Sequence, residues 1–211
     1  MSTMHKKNRF LSVGPVVTAL LVLALVIITA VNYYYRPKAY LADLIVKDVA
    51  MLEEIFKKID DRCKILGFDS QKNSINFLNV GTFQGSEVGP MNLTYPTQWQ
   101  GPYAVDNPLV QGIDYQIVKT KKGLFITPGE GVSLPNGKVI GKDIMLEEHA
   151  DIAAMMKDEQ SLLYDGKALA TQIYLQHSEF QNALLQGVGT LDNEMVGARK
   201  ESPVGVQLAM R

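Results

Sequence analysis

At 211 residues the chain has room for one domain, or one domain with an appendage, and its 46% apolar content is unevenly spread. A formal net charge of −1 gives no electrostatic case for a nucleic-acid partner. With Cys63 as the lone cysteine no intramolecular disulfide can form, so a domain outside the cytoplasm must be held by its core.

No charge appears between Arg9 and Arg36, and the intervening "FLSVGPVVTALLVLALVIITAVNYYY" is dominated by Val, Leu, Ile and Ala. A helix rises about 1.5 Å per residue, so about 20 such residues cover a hydrocarbon core of about 30 Å. The stretch predicts a transmembrane helix over residues 10–35, with its lipid-facing core at 16–31 and Tyr33, Tyr34 and Tyr35 suited to the interface. A cleaved signal peptide would need a small-x-small site, but "ITAVNYYY" follows Thr29-Ala30 with bulky aromatics. A buried core helix would need a polar face, and none interrupts the run. Lys6, Lys7 and Arg9 precede the segment without an acid, whereas Asp43 soon joins Arg36 and Lys38 after it. That places residues 1–9 in the cytoplasm as a basic tail and the large C-terminal part on the other side.

After Pro37 the texture becomes amphipathic over residues 36–66. Ile45, Val49, Leu52, Phe56, Ile59, Cys63 and Leu66 recur in steps of four and three, with Lys, Asp and Glu between. Pro37 is tolerable at the cost of a kink, so the simplest picture is one long bent helix over 16–66. Its stripe can pack on the chain's own domain, form a short coiled-coil seam, or serve as a contact between subunits.

Residues 67–142 read as loop and antiparallel sheet. Residues 74–80, "SINFLNV", form a candidate strand. Residues 81–112 are rich in Gly, Pro, Asn and Thr and predict a long loop containing "WQGPY", which holds the single tryptophan. There Gly101-Pro102 would turn the chain while Trp99 and Tyr103 press into the seam between helix and sheet. "DYQIVKTKKGLFIT" predicts a hairpin of 115–119 with 124–127, and "VSLPNGKVIG" a second, turning at Asn136-Gly137. Residues 143–186 carry helical spacing and predict two C-terminal helices, 144–164 and 167–186, bent near Asp165-Gly166. Residues 187–211 read as a loose tail. The fold class is therefore α+β: a long transmembrane-plus-amphipathic helix packed on a small antiparallel β-sheet, with additional C-terminal helices.

The residues offer no reactive set. His5 lies in the tail, and His149 and His177 read as surface helix residues whose neighbouring acids face elsewhere. Cys63 reads as a small core residue on the stripe. No nucleophile elbow, phosphate-binding loop or zinc-spaced Cys/His set occurs, so neither a catalytic centre nor a cofactor is predicted. Asp106, Asp192 and Glu194 could hold calcium, a weak signal without an EF-hand's alternation. "NLT" at Asn92 matches a glycosylation sequon.

The order of elements and the "W-x-G-P-Y" stretch resemble the type IV pilin and type II secretion pseudopilin families. Trp99, Gly101, Pro102 and Tyr103 match the stretch, and Pro108 and Tyr115 in "DNPLVQGIDYQI" roughly match a following Pro and Tyr at the first strand. The resemblance covers about residues 6–140. It implies a structural protein of the inner (cytoplasmic) membrane with a periplasmic domain. Its partners would be the bilayer, like subunits and the platform proteins of a secretion or pilus system. It also implies processing after Gly14. Here Pro15 stands where the families have Phe or Met, and Ala19 where they have a glutamate that registers one subunit against the next. A single-pass tethered interaction module that does not polymerise is therefore the alternative.

Overall fold

The computed structural model describes residues 13–176 together with Ser178. The basic tail, His5, His177, Asp192, Glu194 and the loose tail of 187–211 lie outside the described residues.

The chain begins with helix α1, Val13–Cys63, which carries Pro37 within it. Two compact units divide at Leu41 and Ala42. In the first, every large apolar side chain from Val16 to Val31 is exposed. The two threonines of the run are satisfied locally: the Thr18 hydroxyl donates to the Gly14 carbonyl and that of Thr29 to Leu25, each at 2.8 Å. Such back-bonding leaves no hydroxyl in need of water, which suits an apolar medium.

In the second unit the helix acquires a buried face made of Ala42, Ile45, Val49, Leu52, Ile55, Phe56, Ile59 and Cys63. Six of the seven predicted stripe residues are on it; Leu66 is not. The helix ends at Cys63, Lys64 takes a left-handed φ of 52°, and Ile65 begins strand β1 (Ile65–Phe68). With the period changed from 3.6 to 2, Ile65 takes the buried place and Leu66 points outward. The carbonyls of Cys63 and Lys64 are taken by the backbone N–H groups of Tyr95 and Thr94, at 2.8 and 3.0 Å. The unpaired end of the helix thereby fixes where a distant loop begins.

Beyond β1 come β2 (Lys72–Ser74), β3 (Glu87–Val88) and β4 (Met91–Leu93). The antiparallel order β1-β4-β3 makes a small sheet. Gly89, at φ 55°, turns β3 into β4 where a Cβ would come 2.5 Å from the Phe77 ring, so no larger residue fits. The candidate strand at 74–80 ends at Ser74. Ile75, Phe77 and Leu78 are buried, but the chain turns there, with the Val80 N–H on the Phe77 carbonyl.

The larger sheet is built on the predicted hairpin. After β5 (Leu109–Val110), strands β6 (Ile113–Thr120) and β7 (Gly123–Pro128) pair from Tyr115↔Pro128 to Thr120↔Gly123 across Lys121-Lys122. Tyr115, Gln116, Ile117 and Val118 are buried in succession, so both sheet faces are covered. The second predicted hairpin shrinks to a bridge, Ser133↔Val139, around Gly137 at φ 86°.

The two C-terminal helices are corrected. Among the described residues from 144 to 176 only one helical turn forms, α2 (Ile152–Met155), with Asp151 as its N-cap. The Asp158 carboxylate then accepts the Gln160 N–H, and its carbonyl accepts that of Ser161, replacing helix by turn. Strands β8 (Leu163–Tyr164) and β9 (Lys167–Ala168) form a hairpin through Asp165-Gly166, both at positive φ. Strand β10 (Thr171–Ile173) joins the large sheet, whose order is β10-β7-β6-β2 with β5 beside β6. The predicted helix beyond Ser178 lies outside the described residues.

Phe56 is fully buried, edge-on to Phe68 at 6.1 Å and Phe77 at 6.3 Å between ring centres, and so ties the helix to both the small sheet and the turn after β2. Phe56→Ala should destabilise the folded unit by about 3–5 kcal/mol, read from thermal unfolding of the detergent-solubilised chain. A cost below about 1 kcal/mol would mean the helix face is not its core.

Candidate assembly site

In the sequence the stripe is open to three readings: packing on the chain's own domain, a coiled-coil seam, or a contact between subunits. Ile45, Val49, Leu52, Phe56, Ile59 and Cys63 are buried within the chain's own folded unit, and only Leu66, 38% exposed, faces outward. The stripe therefore acts as the core of its own domain, the first of its three readings.

A row of acids accompanies the stripe and bonds the helix to the rest of the folded unit. Asp43 accepts the Lys167 ammonium of β9 at 2.7 Å. Asp48 accepts the Tyr115 hydroxyl of β6 at 3.0 Å, and Glu53 accepts the Thr171 hydroxyl of β10 at 2.7 Å. Asp60, 2% exposed, divides its two oxygens between the N–H of Ile65 at 2.9 Å and that of Gln176 at 2.7 Å. Of the four only Asp60 is buried, where a hydrogen-bonded acceptor matters most; the Asp43–Lys167 pair is largely exposed and screened by solvent. In the sequence these acids looked like the solvated side of an amphipathic helix, and nothing in their spacing set them apart.

The electrostatics are divided. Burial pushes the Asp48 carboxyl above the usual carboxylate range, and the Tyr115 hydrogen bond and the Lys47 charge only partly offset it. Burial, then the Asp48 charge and hydrogen bond, push the Tyr115 phenol far up, so it remains a donor. At Glu53 burial pulls upward too, but the bonds from Lys57 and Thr171 outweigh it and the net shift is downward. Ionised Asp48 thus costs stability once pH rises past the ordinary carboxylate range, whereas the support from Glu53 is lost as pH falls through its lowered value.

The "WQGPY" stretch follows a 3₁₀ turn, Pro96–Gln98, itself begun by the two helix-end bonds at Thr94 and Tyr95. Trp99 is half-buried; its indole N–H donates to the Val80 carbonyl at 3.0 Å. Phe83, Trp99 and Tyr103 meet edge to face, with centroids 5.4 and 4.7 Å apart. The Tyr103 hydroxyl hydrogen-bonds with the Cys63 thiol at the helix end, and its backbone N–H donates to the Leu78 carbonyl. Tyr103 therefore reaches the helix, while Trp99 stacks on its outer side. Gly101 is confined: a Cβ there would lie 2.2 Å from the Val80 oxygen and 2.3 Å from the Trp99 nitrogen. The Gly101-Pro102 peptide is cis. Pro108 is half-buried just before β5, and Asn107, unremarked in the sequence, clips the turn below by accepting from Leu78 N–H and donating to the Asn76 carbonyl.

The remaining candidates do not converge. Gly14 is exposed in the first turn of α1. His149 is exposed in a turn rather than on a helix, and burial pushes the Cys63 thiol up, against nucleophilic use. Asp106 is exposed in its loop, and the described residues hold no group of three metal-ligating side chains. Asn92 sits in β4 with its amide donating to Asp69. Beside β6, Lys72 pairs with Glu130 and the Ser74 hydroxyl donates to the Asp114 carboxylate at the surface.

Gly101→Ala should break the Trp99–Val80 bond, shift the indole emission to the red and cost about 2 kcal/mol, with Trp99→Ala costing a similar amount. Unchanged emission and melting would show the clip to be idle. Asp48→Asn should stabilise the folded unit near neutral pH and do nothing in acid, where the wild-type carboxyl is already protonated. A gain equal at both pH values would contradict the burial argument.

Comparison of the chain with family models, with curated proteins and with solved structures finds no match.

Proposed function

We propose that the chain is a pilin-like, single-pass membrane protein whose work is assembly rather than catalysis. Its N-terminus is cytoplasmic and its folded unit extracytoplasmic, and its partners are like subunits or a secretion or pilus platform. The observation that carries this reading is the division of one helix between two surroundings. Its N-terminal run is uncharged and exposed side chain after side chain, and its last six turns bury a stripe against antiparallel strands. A run of about 18 uncharged apolar residues left bare in water would be strongly unfavourable, whereas a bilayer solvates it. Thr18 and Ala19 leave a shallow groove with Pro15, Val22, Leu23 and Val26, a surface on which a second lipid-embedded helix can lie close. The aromatic clip at Trp99 and Tyr103 stands where the resemblance to pseudopilins has its "W-x-G-P-Y".

The second reading, a tether that does not polymerise, draws on two facts. The membrane run carries no carboxylate to register one subunit against another, and the outer stripe is consumed by the chain's own core. The N-terminus of the membrane-extracted protein separates the two. A mature chain beginning at Pro15 supports the pilin-like assembly, and a chain beginning at Met1 or Ser2 supports the tether. Cysteines introduced at Ala19 and Ala24 provide the second arm, because Cys63 is too buried to report. Oxidation in membranes should give a ladder of multimers for an assembly, and no species beyond a dimer or trimer for a tether.

A further inference from the structure

Between the apolar run and the folded unit, the helix presents a different surface. Tyr33 is 85% exposed, Tyr40 is 72% exposed, and Arg36 is exposed between them. Steps of three and four put the three on one side of α1, spread over a rise of about 10 Å. That compares with a headgroup layer of roughly 5–8 Å on each side of a bilayer. Pro37 has no N–H, so the Tyr33 carbonyl receives no donor from its own helix four residues on. Such an acceptor is unfavourable in hydrocarbon and readily satisfied among headgroups. The charge is of one sign: residues 1–42 contain no Asp or Glu, and the first acid, Asp43, is bonded to Lys167.

We propose that Tyr33, Arg36 and Tyr40 form a binding site for the headgroup of an anionic phospholipid of the phosphatidylglycerol type. The guanidinium takes the phosphodiester oxygens in its planar fork, and the two phenols donate to phosphate or ester oxygens on either side. A headgroup hydroxyl can donate to the Tyr33 carbonyl in place of the N–H that Pro37 does not have. A choline headgroup has no such hydroxyl, and its own cation opposes Arg36. The collar so occupied sets the depth of the helix in the membrane. This inference rests on the membrane-spanning reading of α1.

The test uses the full chain in phosphatidylcholine vesicles, with trace spin-labelled phosphatidylglycerol or phosphatidylcholine reporting association with the protein. Lys6→Gln, Lys7→Gln and Arg9→Gln are made together as the background, so that the basic tail does not contribute. Phosphatidylglycerol should associate more strongly than phosphatidylcholine. Arg36→Gln should lower that preference roughly five-fold, the value of one basic group near an anionic headgroup. Tyr33→Leu and Tyr40→Leu, which keep the apolar bulk, should each lower it by a smaller factor. An unchanged preference in Arg36→Gln, in a chain that resists alkaline carbonate extraction, overturns the headgroup site and leaves the span standing. A wild-type chain released by carbonate overturns the span, and the site with it.

Discussion

The folded unit depends on one constraint: the side of α1 between residues 42 and 63 cannot be left in water. Each fully buried Ile, Leu or Phe contributes about 1.5–3 kcal/mol, and Ile45, Leu52, Phe56 and Ile59 are all fully buried. Apolar burial alone would let the helix slide or rotate, since it is non-directional. The acids along the stripe remove that freedom. Tyr115, Lys167, Thr171 and the Gln176 N–H come from separate parts of the later chain, and each finds a particular carboxylate of the helix. The apolar face supplies the driving force and the acids supply register, from β6 to the segment after β10.

Asp60 shows how closely the two are joined. Its side chain sits a single turn before the helix end, where the last carbonyls need donors and the next strand needs a starting point. One of its oxygens holds the N–H of Ile65 as the chain turns into β1, and the other holds a residue more than a hundred positions away. The neighbouring carbonyls of Cys63 and Lys64 capture the N–H groups of Tyr95 and Thr94. The end of one helix thus positions the first strand, the C-terminal segment and the entrance to the aromatic loop. A loop with few apolar residues can then hold Trp99 and Tyr103 in place, because its beginning is anchored by backbone bonds before its side chains pack.

What could be read from the sequence follows the strength of its periodicities. The stripe from Ile45 to Cys63 and the β6–β7 hairpin were legible because burial imposes a period of 3.6 on one and β-pairing imposes turn residues on the other. The C-terminal third misled because its apolar residues happen to recur at helical intervals, while the deciding signal was local. Asp165-Gly166 is the pair that a two-residue hairpin turn requires, both residues adopt positive φ, and Glu159 accepts both of their N–H groups. That dipeptide outweighs a weak helical spacing, since a left-handed pair costs a helix more than a few apolar coincidences return. The acids of the helix were illegible for another reason. A carboxylate that will bond to a strand and one that will face water have the same spacing, and only tertiary contact separates them.

The two kinds of apolar residue on α1 also differ in what they ask of the chain. Those from Ile45 onward are answered by the protein's own strands, so their identities are tied to a particular packing and to the acids beside them. Those from Val16 to Val31 are exposed. They need only be apolar, helical and free of unsatisfied hydroxyls, which the back-bonded Thr18 and Thr29 achieve. A run so permissive in composition has no internal feature to fix its depth in a bilayer, and sliding by one turn would expose about as much apolar surface at one end as it buried at the other. If the run spans a bilayer as proposed, its depth is set at its ends. Just after it, Asn32, Tyr33, Arg36 and Tyr40 are exposed side chains that lipid tails solvate poorly and headgroups solvate well. Pro37 adds a backbone carbonyl with the same preference. On the membrane-spanning proposal, position in the bilayer becomes specific at that end of the helix, and from Ala42 onward the buried face belongs to the chain's own core.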